Sequence, residues 1–210
     1  MDALIQLYFT TFESCYGILD YSSFPAEYRT GLGNAESAER SFILLILLIM
    51  TVTGPLHGEA SVRSEVAANA RMWIDIAQTW FSAPLEKDRL SLRAVQVHCL
   101  LLLSRQVNQV GSDLVWISAG SLMSMAMQMG LHQDPDLLGQ MNRQQKHIRR
   151  RLWYTIMEMN VQAATDSGYK GGEMEWSGHS IHRLILLAHK ASILGYNGSS
   201  QPLTFSRKIH

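Results

Sequence analysis

Apolar side chains return every three or four residues along most of this chain. Between positions 61 and 81 they fall at Val62, Val66, Ala70, Trp73, Ala77 and Trp80, the spacing of a single stripe on an α-helix. Ser61 is the expected N-cap, because its hydroxyl can accept from an orphan backbone N–H. Pro84 is the expected stop, because it has no amide hydrogen and its ring clashes with the preceding turn. A second helix is expected from about Asp88 to Val107. Val95, Cys99, Leu102 and Gln106 share one face, and Leu100, Leu101 and Leu103 widen it. A band that wide calls for more than one neighbour. Gly111 closes it. Ser112 then reads as the N-cap of a third helix, with Asp113 at its positive end. That helix carries Val115, Ala119, Leu122, Ala126 and Met129, and Gly130 follows as its cap. A loop over 131–138 contains Asp134-Pro135. A fourth helix carries Ile148, Leu152, Ile156, Met159 and Ala163.

The first sixty residues read as helical with more interruptions. Positions 4–16 are aromatic-rich and amphipathic. Positions 21–28 contain Pro25 and read as a turn. Positions 36–52 read as a buried helix that Thr53-Gly54-Pro55 terminates. Its apolar run, FILLILLIM, is about half the ~20 residues a membrane span requires, so burial inside a protein is expected instead. No stretch alternates apolar and polar residues as a sheet requires. The expected class is all-α, a multi-helix array of antiparallel amphipathic helices. After Gly168 the character changes: Gly168, Gly171, Gly172 and Gly178 crowd together, a short apolar patch covers 181–187, and a polar stretch ends the chain. The expected organisation is one helical domain over 1–168, then a Gly-rich linker and a poorly ordered or aberrant tail over 169–210.

Composition narrows the function classes. The 210 residues are 47% hydrophobic and 17% charged, which fits a globular domain. Eighteen basic and eighteen acidic residues cancel, which disfavours a strongly basic nucleic-acid domain and an acidic tail protein. Cys15 and Cys99 are the two cysteines, too few for a disulfide framework or a cysteine-based zinc cluster. A reducing compartment fits them. Positions 1–12 lack a basic region and carry Asp2, so they do not read as a signal peptide.

Two neighbouring blocks carry the most information: GLHQD at 130–134 and IRRRLWY at 148–154. Together they resemble the fungal-specific transcription factor domain, the middle homology region of zinc-cluster transcription factors. In that family a helix ends in Gly-Leu-His-Arg-Asp, and Glu-x-Arg-Arg-Arg-Leu-Trp opens the next one. Gly130, Leu131, His132 and Asp134 match, with Gln133 in place of Arg. Arg149, Arg150, Arg151, Leu152 and Trp153 match, with His147 where an acid is usual. Val95-Gln96 before a leucine run is similar to the family's Val-Gln-Ala-Leu-Leu-Leu. Tyr8-Phe9, Phe12-Glu13, Ile18-Leu19 and the segment 24–28 are similar to its entry, and Asp166-Ser167-Gly168 to its Asp-Ser-Gly turn. The likeness covers about 4–168.

The resemblance implies an all-α regulatory domain in the nucleus. Its partners would be other transcription-factor segments or a small-molecule effector, a homodimer being compatible with it. It implies no membrane, no catalysis and no cofactor in this chain. Zinc and DNA would be bound only through a six-cysteine module that these 210 residues do not contain. The family continues past its Asp-Ser-Gly turn into a Pro-rich loop and further helices, where this sequence turns Gly-rich. A truncated product that exposes apolar helix faces is therefore the expectation. The rival from another class is an α-helical ligand- or partner-binding protein unrelated to transcription.

The arginines admit two readings. Three successive helix residues fan over about 200°, so Arg149 and Arg151 should flank the core position Leu152 while Arg150 points outward. They would then pair with loop carboxylates such as Asp134, Asp136 or Glu158, or bond helix-end carbonyls. The sharper reading is a nucleic-acid patch of Arg143, Lys146, His147 and Arg149, Arg150 and Arg151. His132 is expected to bond the last carbonyls of the helix before it. His179, His182 and His189 could share a face, though an irregular tail is the expectation there. Adjacent His98 and Cys99 diverge by about 100° and cannot share an ion. Met123, Met125, Met127, Met129 and Met141 read as gap-filling side chains. No phosphate-binding Gly-rich loop, Gly-x-Ser-x-Gly or His-Glu-x-x-His occurs.

Overall fold

The computed structural model describes residues 2–33, 39–82, 90–111 and 114–166. Among these residues there are eight α-helices and no strand: α1 (Asp2–Thr11), α2 (Glu13–Tyr16), α3 (Phe24–Gly33), α4 (Arg40–Thr53), α5 (Ala60–Ser82), α6 (Leu92–Asn108), α7 (Val115–Gln128) and α8 (Arg143–Asp166). A 3₁₀ turn, Gly54–Leu56, follows α4. The all-α class is thus observed. Pro84, Asp88, Ser112, Asp113 and everything after Asp166, including Gly168, the three tail histidines and the whole of 169–210, lie outside the described residues.

The centre is α4 against α6. The apolar run in α4 buries Leu45, Leu48, Ile49 and Val52, and α6 meets it with Val95 and the leucines at 100–103. The two helices run parallel. Arg93 stands over the Phe42 ring at one end, and the Thr51 hydroxyl donates to the Ser104 hydroxyl at 2.6 Å near the other. Helix α5 runs back between their ends, its Phe81 ring 4.6 Å from His98 of α6. Helices α7 and α8 form an antiparallel hairpin against α6, and α1 packs on α4. The breadth of the α6 apolar band has its explanation here: that helix touches α4, α5, α7 and α8.

Several boundaries differ from expectation for local reasons. Positions 4–16 form two helices rather than one, broken at Phe12 and closed by Gly17 in the left-handed conformation. The expected turn over 21–28 is the start of α3, in which Pro25 occupies the first turn, where its missing N–H costs nothing. Helix α4 starts at Arg40, later than position 36. Ser61 lies inside α5 rather than capping it. Helix α6 begins at Leu92, capped by Ser91, whose hydroxyl accepts from the Ala94 amide at 3.2 Å. Its left-handed closing residue is Gln109, before Gly111. In α5 the buried positions are Val66, Ala70, Ile74 and Ala77, so Ile74 takes the core place assigned to Trp73, which is only half-buried.

Candidate functional site: the arginine junction

The corner between α7 and α8 is built by the glycine. Gly130 has φ +68, a conformation that favours glycine. It lets the Gly130 amide reach the Met127 carbonyl at 3.0 Å and the Leu131 amide reach the Ala126 carbonyl at 3.0 Å. These paired bonds form a Schellman closure, and the buried Leu131 against the buried Ala126 is its apolar contact. The loop then turns on Asp134, whose side chain accepts from the Asp136 amide at 3.1 Å. Asn142 starts α8. Its Oδ1 accepts from the Gln145 amide at 2.7 Å and its own amide donates to Gln145 Oε1 at 3.2 Å, a reciprocal cap. This Asn-x-x-Gln signal was legible in the sequence and is absent from the expectations above.

The three arginines diverge from this platform to three different elements. Arg149 donates to the Met129 carbonyl at the end of α7 at 2.6 Å. Arg150 points outward and bonds Asp134 at 2.8 Å and Asp136 at 2.6 Å. Lys146 joins Asp136 at 2.7 Å. Arg151 turns inward and crosses to the N-terminal helices, where it donates to Glu13 Oε1 at 2.6 Å. Leu152 between them is fully buried. The fan expected from helix geometry is observed, and so are the carboxylate and carbonyl partners of Arg150 and Arg149. The partner of Arg151 was not foreseen.

Glu13 is the hub of this junction. Its Oε2 accepts from the Tyr8 hydroxyl at 3.0 Å and from the Ile18 and Leu19 amides at 3.1 and 2.9 Å. Burial pushes its carboxyl up to about 7, against the pull of these donors and of Arg151. Burial also holds the Tyr8 phenol well above its ordinary range, so it stays a donor. Gln96 of α6 donates to the Ile18 carbonyl at 3.0 Å, and Thr155 of α8 donates to the Tyr16 carbonyl. Gln144 of α8 bonds Asp20 and Ser22. Burial would raise Asp20, but bonds from Ser23, Ser22 and Gln144 outweigh it and hold the carboxyl at about 2. Residues 144, 151 and 155 lie on one stripe of α8, so the segment after α1 is fastened along that stripe.

Gly17 explains how close this approach is. It has φ +60, and a Cβ there would lie 2.8 Å from the Arg151 Nε. Backbone conformation and space both demand glycine.

His132 does not bond helix-end carbonyls. Those are taken by the turn amides and Arg149, and the exposed His132 ring lies 6.0 Å from the Trp153 ring. Met123, Met125 and Met129 fill gaps at the core edge, Met127 is exposed, and Met141 is half-buried in the loop. Lys146, Arg149, Arg150 and Arg151 are all engaged within the chain, which removes most of the basic patch considered above. Among the described residues no group of three His, Cys, Asp or Glu side chains could hold a metal ion, and no helix is long and apolar enough to cross a membrane.

Among the described residues the chain is an all-helical body whose Gly-Leu-His corner is clasped by a tri-arginine helix. The family comparison is specific: the model described as "Fungal specific transcription factor domain" matches residues 5–170, and the chain belongs to that family. It is 39% identical over 168 residues to the transcription factor asR3 of Sarocladium schorii, covering 79% of this chain and 20% of that protein. It is 36% identical over 166 residues to the transcription factor opdR of Penicillium oxalicum, covering 79% and 21%. It is 35% identical over 169 residues to the transcription factor lepE of Aspergillus flavus, covering 80% and 20%. The chain thus spans about one fifth of the length of these relatives. No solved structure matches it.

Proposed function

We propose that this chain is the regulatory middle domain of a fungal transcription regulator and works in the nucleus. The observation that carries this reading is the family match over residues 5–170. The arrangement supports an indirect mechanism. A protein or small-molecule signal is received by the helical body and passed on to DNA-binding and activating segments. Glu13 and Arg151 join the N-terminal helices to the α7–α8 hairpin, so a shift in either part is felt by the other. The chain's described residues offer no metal site, and its two cysteines cannot build a six-cysteine zinc cluster. Sequence-specific DNA contact would then come from another module, and this domain would modulate it without catalysis.

The test is reporter output and nuclear retention of the chain with and without a grafted zinc-cluster module. Output that depends on the graft and changes when Arg151 is replaced supports the reading. A graft that activates equally well when fused to an unrelated helical domain overturns it.

A further inference from the structure

We draw no further inference here: the strongest candidate, the hollow on the outer side of α5 lined by Arg71, Met72, Asp75, Ile76 and Thr79, is an unpartnered helix face, and nothing in the structure shows what covers it.

Discussion

Replacing Arg151 with Met deletes a guanidinium and keeps most of the side-chain volume. Glu13 would remain among Tyr8 and two backbone amides without a counter-charge. A buried pair that loses one partner costs about 3–5 kcal/mol. The carboxyl can escape that cost by keeping its proton, so the loss depends on pH. In the folded wild type Glu13 titrates at about 7, raised from 4.5 chiefly by burial. Since the folded value lies above the unfolded one, the folded state holds the proton more tightly. The Glu13 contribution to stability is therefore lost as pH rises from about 4.5 through about 7. Without Arg151, which pulls the value down, the folded pKa rises further and the loss extends to higher pH.

The two stability curves should therefore run parallel below about pH 7 and separate above it, by up to about 1.4 kcal/mol per pH unit. The full cost is reached only about two to four units higher. Urea unfolding is the assay, because urea adds no salt to screen the pair. At the alkaline end the double variant Glu13→Gln/Arg151→Met should be more stable than Arg151→Met alone, since no unpaired charge is left inside. A gap between wild type and Arg151→Met that stays constant with pH would refute the reasoning, as would strict additivity in the double variant.

Four further outcomes follow from the same geometry. Gly17→Ala should cost more than the ~1–2 kcal/mol of a left-handed residue, read from urea unfolding, because its Cβ also displaces Arg151. Gly54→Ala places a Cβ 2.3 Å from Val66 Cγ1. It should cost about 1–3 kcal/mol by overpacking, and Val66→Ala in the same chain should recover part of that in thermal melts. His98 is held at about 4 by burial and then by Arg105. The unfolded state takes its proton first, so stability is lost as pH falls from about 6.5 to about 4; His98→Leu should flatten that limb of a melting-versus-pH curve. Arg150→Ala removes solvent-facing pairs and should leave the melt within measurement error.

What could be read from the sequence tracks the distance over which contacts act. The stripes of α7 and α8 were legible because Leu122, Ala126, Leu152 and Ile156 repeat at helix spacing and all are buried. Asp134 was legible as a partner of Arg150 because only 16 positions separate them within one hairpin. Glu13 lies 138 positions from Arg151, and no local pattern announces a carboxylate brought in from another part of the chain. Pro25 was misread for a different reason: proline ends a helix from inside but starts one from its first turn, and spacing alone does not say which. In α5 both Trp73 and Ile74 satisfy a three-four count, and the packing against α4 and α6 chose the smaller side chain. The blocks that resemble the family contained Tyr8 and Glu13 as well as the arginines, but nothing in them paired Glu13 with Arg151, and Gly17 lay outside them.

Because Arg149, Arg150 and Arg151 are consecutive on one stiff helix, their three attachments behave like the cuts on a key. A turn of α8 by a single residue, about 100°, would carry Arg149 to the place of Arg150, Arg150 to that of Arg151, and Arg151 to the core place held by Leu152. The three attachments together therefore fix one rotational setting of α8 against the corner, the loop and the N-terminal helices.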